Sequence, residues 1–484
     1  MNAPVRRLSA VVALLFALLL GSTTWIQVID AKSLDERPGN ARTLYKEYSR
    51  QRGPIVVAGD AVAESVPSDD VYTYQRRYPG GQLYAPVTGA YSVVYGTSGL
   101  ERASNGLLAG TADELFSHRL SDLLTGRRPS GAAVELTLDP RAQKVAWDAL
   151  GDQRGAVVAL EPATGKVLAL VSKPSYDPNL LAGHDTAKVR TQREALLARD
   201  DRPMDNRAIA SRGYPPGSVF KLVTSAAALS SGRWTPDSVI PSPDSLDLPQ
   251  TTKNLVNFEG ESCGGSQVSL TKALEVSCNT AFGWLGLQLG DDALREQAEK
   301  FGFDADLDIP LPVTRSTYPA DPDLPGTAQT AIGQFDVRVT PMQMAMVASA
   351  IANGGSLMHP TLVNRVLGGE DLGVIDKPEP KELSRAVTAS VAADLTRMMV
   401  DVVEKGTGRR ARIDGVTVAG KTGTAQQGEG RPPNAWFVAF APAENPEVAV
   451  AVVVEDGGAL GDAASGGKVA APIARAVMEA VVKR

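Results

Sequence analysis

The chain has 484 residues, 43% hydrophobic and 21% charged, which excludes a wholly disordered polymer. Its 49 basic and 55 acidic residues leave a net charge of −6, which argues against nucleic acid as the main partner. Three scattered histidines, His118, His184 and His359, and two cysteines form no cluster at metal-ligand spacing, so no metal site is expected and a Ser-His-Asp triad is disfavoured.

Arg6 and Arg7 precede an uncharged stretch from Leu8 to Ile29 that contains VVALLFALLL, and Asp30 follows it. As a helix rising about 1.5 Å per residue it reaches roughly 33 Å, enough to cross the hydrocarbon core. The basic flank places residues 1–7 in the cytoplasm and everything after residue 30 outside. A cleaved signal peptide shares the basic start. The apolar stretch is long for one, however, and LLGST is a weak cleavage site, so residues 8–29 are expected to be an uncleaved single-pass anchor.

Residues 31–54 are polar and charged and read as a linker into Ile55-Val56-Val57, a short strand between Pro and Gly punctuation. Residues 60–110 mix Gly, Tyr and Ser with short apolar runs, which suggests small strands and loops without a nucleophile–base pair. A helix is predicted over Thr111–Leu124, a turn at GRRPSG and a strand over residues 134–138. Asp139-Pro140 then supplies an N-cap and a first-turn proline for a helix to about Leu150. Residues 30–150 are read as a non-catalytic, β-rich pedestal.

From Gly155 the texture changes. GAVVALEP and TGKVLALVS flank a turn and predict a hairpin, and NAWFVAFAP and EVAVAVVVE predict a second near the end. Helices are predicted between them, including Pro341–Asn353, and after them over Ala471–Val482. Strands at both ends of residues 151–484 with helices between suggest an α+β domain whose antiparallel sheet is closed by its two termini.

The chemistry concentrates in three short segments. In YPPGSVFK, residues 214–221, Ser218 and Lys221 lie three apart at a helix start and share a face. A serine needs an adjacent base, and a lysine serves only if burial or another cation lowers its pKa. Taken alone, Ser-x-x-Lys is more often a helix cap beside an exposed lysine. Ser277-Cys278-Asn279 adds a hydroxyl that can relay protons and an amide that can donate and accept. Lys421-Thr422-Gly423-Thr424 follows the alternating run GVTVAG, so Lys421 and Gly423 share a strand face. There Lys421 would supply a cation, and the space beside Gly423 would admit a substrate backbone.

The three motifs in this order resemble those of the class B penicillin-binding proteins, the membrane-anchored D,D-transpeptidases of bacterial cell-wall synthesis. RGPIVV, GLERASNGLLAG, GAVVALEPATGKVLALVSKPSYDPN, NRAIASRGYPPGSVFK and IGQFDVRVTPMQMAMVASAIANGG extend the resemblance over nearly the whole chain. Layout and size are most like the actinobacterial A-type members. The resemblance implies a penicillin-binding/β-lactamase-like transpeptidase fold: an antiparallel sheet flanked by helices, plus an all-helical subdomain. It implies that Ser218 attacks the penultimate D-Ala of a pentapeptide stem, that Lys221 takes its proton, and that Ser277 and Lys421 pass that proton to the leaving amine. Asn279 would bind the donor backbone, Thr422 or Thr424 the substrate carboxylate, and the N–H groups of Ser218 and Thr424 the oxyanion.

A neighbouring stem's amine would then complete the crosslink, with D-Ala-D-Ala carboxypeptidase action on the side. β-Lactams would acylate the same serine, and no cofactor is implied. Cys278 replaces the Asp of the β-lactamase Ser-Asp-Asn motif, and no deacylating glutamate is matched, so rapid β-lactam hydrolysis is disfavoured. A β-lactam sensor would need an output domain, whereas the inner tail is residues 1–7. A scaffold role toward a SEDS-family glycosyltransferase of the RodA/FtsW type stays open, as does assignment to elongation or division. Cys263 and Cys278 both fall outside the membrane, where a disulfide closing a loop of about 15 residues would contribute roughly 3 kcal/mol. The alternative is two buried thiols.

Overall fold

The computed structural model describes residues 3–29, 48–115, 130–210, 212–368, 373–428 and 430–483. Most of the linker read over 31–54, the larger part of the helix read over Thr111–Leu124 and most of the GRRPSG turn lie outside these residues.

Helix α1, Ala3–Thr24, continues as a single π turn, Trp25–Ile29, and so begins before the uncharged stretch and includes Arg6 and Arg7. Leu8, Leu15 and Leu20 are all more than half exposed, so no described part of the chain covers this apolar helix.

The first strands are β1, Ile55–Val57, as read, then β2, Asp60–Pro67, and β3, Tyr74–Arg77. Residues 78–110 hold less strand than expected. Short helices occupy Ala85–Thr88, Gly99–Ala103 and Asn105–Leu108, with only a two-residue ladder between Tyr91–Ser92 and Gly96–Thr97. Strand β4, Ala133–Leu136, stops short of residue 138, and Thr137 N–H donates to Leu362 O at 2.9 Å. The Thr137 hydroxyl donates to the carbonyls of Val167 (2.8 Å) and Thr361 (3.0 Å).

Helix α2, Pro140–Leu150, starts as read, with the Asp139 carboxylate accepting from the N–H groups of Arg141 and Ala142. The hairpin of β5, Gly155–Leu160, and β6, Val167–Lys173, follows. Then come α3, Lys221–Ser230, α4, Asn279–Leu289, and α5, Pro341–Ala352. Strands β7, Val363–Leu367, and β8, Val374–Asp376, precede α6, Ala389–Glu404. The chain closes with β9, Ala419–Ala425, the hairpin of β10, Asn434–Ala441, and β11, Val448–Val454, and α7, Gly466–Val482.

Helix α7 begins ahead of Ala471 and carries Pro472 in its interior. A proline there has no N–H for the carbonyl four residues back. That carbonyl, of Lys468, accepts instead from Arg410 Nη1 at 3.3 Å.

Two sheets organise the molecule. The catalytic sheet is antiparallel, in the order β9-β10-β11-β5-β6, so the chain's late strands close on its early hairpin. Its strands are buried on both faces, and alternate residues enter different cores. Val157, Phe437 and Val450 pack with α2 and α7, whereas Val158, Val438 and Ala451 face α5. The second sheet runs β8-β7-β4-β1-β2-β3. It crosses the boundary read at residue 150, because β7 and β8 come from within the later region. Glu135 on β4 ties them in, accepting from Arg365 Nη2 (2.7 Å) and Asn364 Nδ2 (2.6 Å) on β7.

Arg76 on β3 belongs to a buried charge cluster. Glu101, fully buried, accepts from Arg52 Nε (2.5 Å), Arg76 Nε (2.6 Å) and the Tyr78 hydroxyl (3.2 Å). Burial alone would raise its carboxyl, but the two guanidiniums outweigh that and hold it below the usual carboxylate range.

Candidate active site

The three segments meet where the edge strand β9 lies beside the start of α3. Ser218 sits on a 3₁₀ turn, Gly217–Phe220, that leads directly into α3. Gly217 has φ +54°, and a Cβ there would come 2.9 Å from the Thr424 carbonyl oxygen, so only glycine lets the turn lie this close to β9. The turn is also pinned by Gly217 N–H donating to Gly333 O at 2.9 Å. Ser218 is half-buried, while Lys221, one turn further in, is fully buried.

The Lys221 amine donates to Ser277 O at 2.7 Å and to Asn279 Oδ1 at 2.7 Å, and lies 3.3 Å from Ser277 Oγ. Asn279 Nδ2 donates to Val256 O, which fixes the amide so that its oxygen faces the lysine. A neutral amine has two N–H bonds and one lone pair. Two acceptors that cannot donate consume the N–H bonds, so the lone pair remains for a hydroxyl proton.

Ser277 itself has φ +63°, a left-handed conformation uncommon for a residue with a Cβ. Its carbonyl thereby serves Lys221 while its hydroxyl accepts from Lys421 Nζ at 2.8 Å. The neighbouring Cys278 is bonded to Cys263, so the two cysteines pair as a disulfide inside this motif. Asn257 holds the next turn: its Oδ1 accepts from the N–H groups of Asn279 (2.8 Å) and Thr280 (3.2 Å).

Lys421 is fully buried and also donates to Thr422 O at 2.9 Å. Burial lowers its pKa to about 7. Burial, and then the Lys421 charge, push Lys221 well below the ordinary lysine value. Both effects favour the neutral form of Lys221. The expectation that Lys421 simply stays protonated needs correction, because no carboxylate is among its bonded partners to offset its desolvation. Near neutral pH the free site holds it in both forms, and a bound carboxylate would raise its pKa again.

Gly423 does share the Lys421 face, but the space beside it is not open to substrate. A Cβ there would lie 3.0 Å from Val219 Cγ1 and 3.1 Å from Pro216 O. The turn carrying Ser218 fills the gap. Thr422, on the opposite face, shares a 2.7 Å hydrogen bond with the hydroxyl of Thr407, an exposed residue in the loop after α6. Thr407 N–H in turn donates to Glu275 O, just ahead of Ser277. Sequence reasoning missed Thr407 and Asn257. Each is a lone polar residue in a loop, and only the folded chain brings it to the motifs. Thr424 is half-buried, with its backbone against Gly217. Among the described residues no group of His, Cys, Asp and Glu side chains could hold a metal ion.

A family model described as the penicillin binding protein transpeptidase domain matches residues 155–479, and one for the penicillin binding protein A dimerisation domain matches residues 52–134. The chain is 48% identical to the peptidoglycan D,D-transpeptidase PbpA of Mycolicibacterium smegmatis, over 100% of this chain and 99% of that one. It is 47% identical to PbpA of Mycobacterium tuberculosis over the same shares. Among solved structures, the ceftriaxone acyl-enzyme of M. tuberculosis penicillin-binding protein A superposes with a TM-score of 0.87 at 46% identity, covering 90% of this chain and all of that one. The penicillin G acyl-enzyme of the same protein gives a TM-score of 0.85 at the same identity and coverage.

Proposed function

Because the chain belongs to the class B penicillin-binding proteins, the D,D-transpeptidases that crosslink peptidoglycan and are β-lactam targets, we propose that Ser218 carries its acyl-enzyme and that Lys221 is the base that activates it. The observation that carries this reading is the Lys221 amine, buried and with both N–H bonds of its neutral form committed to Ser277 O and Asn279 Oδ1. Its lone pair takes the Ser218 proton as Oγ attacks the penultimate D-Ala carbonyl. The N–H groups of Ser218 and Thr424 hold the oxyanion, a placement supported by the contact between their two segments. Ser277, bonded to Lys421 and within reach of Lys221, relays that proton: it gives its own to the departing D-Ala amine and takes the one Lys221 holds. A second stem's amine, or water in a carboxypeptidase side reaction, then attacks the ester and returns the proton by the same route.

Lys421 supplies charge for the substrate carboxylate, and Thr422, Thr407 and Thr424 supply hydroxyls for it. Asn279 adds its amide to the donor backbone. A β-lactam enters the same path and stops at the ester. Residues 30–150, extended by β7 and β8, form the pedestal, and 151–484 the transpeptidase domain. In this reading the apolar helix is a single-pass anchor with residues 1–7 inside, and the pedestal faces a SEDS-family glycosyltransferase. The test is labelling with a fluorescent penicillin: the native protein should label and Ser218→Ala should not.

The Lys421 pKa adds a pH signature. The second-order acylation constant reports groups of the free enzyme. Protonation of Lys221 should lower it on the acid side. Loss of the Lys421 proton should lower it on the alkaline side, with a midpoint near 7. In Lys421→Arg the cation persists at all working pH values, so the alkaline fall should disappear. Rates measured from pH 5 to 9 check this, and identical alkaline limbs in the two proteins would contradict it.

A further inference from the structure

Just upstream of Ser218 the structure holds a buried ionic group that no catalytic step uses. Glu455 follows β11 and is 8% exposed. Its Oε1 accepts from Arg207 Nε at 2.9 Å and from the Tyr214 hydroxyl at 2.6 Å, and its Oε2 accepts from Arg154 Nη2 at 2.7 Å. Arg207 is itself 1% exposed and anchored by the carbonyls of Asp201 and Arg202. Replacing a buried ion pair with apolar groups is often neutral or stabilising, so stability alone does not call for this one.

Its geometry points elsewhere. Tyr214 opens the segment that ends in the Ser218 turn. Its backbone pairs with Val339, and its ring stands edge-on to Trp436 at 5.9 Å. Trp436 Nε1 donates to the next carbonyl, that of Pro215, at 3.1 Å. Gly217 is tied to Gly333. The backbone is thus held at three points, and the Tyr214 hydroxyl links this segment to the buried charge.

We infer that Glu455 and Arg207 act through the Tyr214 hydroxyl as a clamp that sets the position of the Ser218 turn against β9. Tyr214 and Glu455 are then positioning residues for acylation, and the inference rests on Ser218 being the acylated residue. A displaced nucleophile slows the covalent step and leaves the preceding non-covalent binding unchanged, because neither residue is placed on the ligand. Tyr214→Phe removes the bond to Glu455 and keeps the ring against Trp436.

The test is stopped-flow acylation of the full-length protein by penicillin G, resolved into the affinity of the initial complex and the first-order acylation constant. Tyr214→Phe should lower the acylation constant roughly tenfold with the initial affinity unchanged. Glu455→Gln should lower it in the native background and have no further effect in the Tyr214→Phe background, since both act through one bond. An acylation constant unchanged by Tyr214→Phe overturns the clamp, as does a loss confined to the initial affinity or a Glu455→Gln effect of equal size in both backgrounds. Should Glu455→Gln fail to fold, Tyr214→Phe alone decides. Mass mapping of the penicilloyl group on the native protein separates the two claims: an adduct away from Ser218 removes the premise, whereas a normal rate in Tyr214→Phe with the adduct on Ser218 removes only the clamp.

Discussion

Lys221→Arg should nearly abolish acylation by penicillin, lowering the second-order constant by a factor on the order of 10² or more. Arginine keeps much of the length of lysine, and its guanidinium can still donate to Ser277 O and Asn279 Oδ1. It cannot lose a proton at working pH and so offers no lone pair. It also fixes a second cation beside Lys421, where burial and the Lys421 charge favour a neutral amine. Lys421→Arg should behave differently. Its role is to carry charge and to bond Ser277 Oγ, and a guanidinium does both, so measurable acylation should remain. Both constants should be measured on proteins shown to be folded by their thermal transitions. Near-native acylation by Lys221→Arg would exclude Lys221 as the base.

The second large effect is expected far from the site. Glu101→Ala would leave Arg52 and Arg76 buried without their shared carboxylate. Removing one partner of a buried ionic group typically costs about 3–5 kcal/mol, because the remaining charge keeps its desolvation penalty. The carboxyl sits below its ordinary pKa, so its contribution is present above the unfolded value near 4.5 and fades as pH falls through the folded one. Denaturant unfolding at neutral pH should show the loss. Because β7 and β8 belong to the same sheet, amide exchange should rise at residues 363–376 together with residues 55–77. A loss below about 1 kcal/mol would mean that water reaches the two arginines and that the cluster is not sealed.

The sequence made the chemistry more legible than the architecture around it. Ser218, Lys221, Ser277, Asn279 and Lys421 are recognisable because short motifs carry them, and the fold brings the three motifs together where β9 lies beside the start of α3. Both hairpins of the catalytic sheet and the Asp139 cap are equally plain, being local signals of alternation and turn chemistry. What escaped depends on contacts between distant segments. Glu455 meets Tyr214 across 241 positions, and Thr407 meets Thr422 from a separate loop. No local pattern marks either pair. Gly423 shows a finer limit: the two-residue period gives its face correctly, but Val219 and the Pro216 carbonyl, which fill that face, come from another motif. The pedestal carries brief helices beside its strands, because its short Gly- and Tyr-containing runs suit both. Its sheet borrows β7 and β8 from beyond residue 360, which no reading of residues 30–150 alone could reveal.

The claim on which all of this turns is that one serine forms the bond to the stem peptide. The most direct measurement is incubation of the full-length protein with a pentapeptide stem ending in D-Ala-D-Ala, followed by acid trapping, proteolysis and mass analysis, with crosslinked product and released D-Ala quantified in parallel. The expected result is an acyl group on the peptide that contains Ser218, together with crosslinked stem, and the absence of both in Ser218→Ala. Crosslinking that survives in Ser218→Ala, or an acyl group on any other residue, would contradict it.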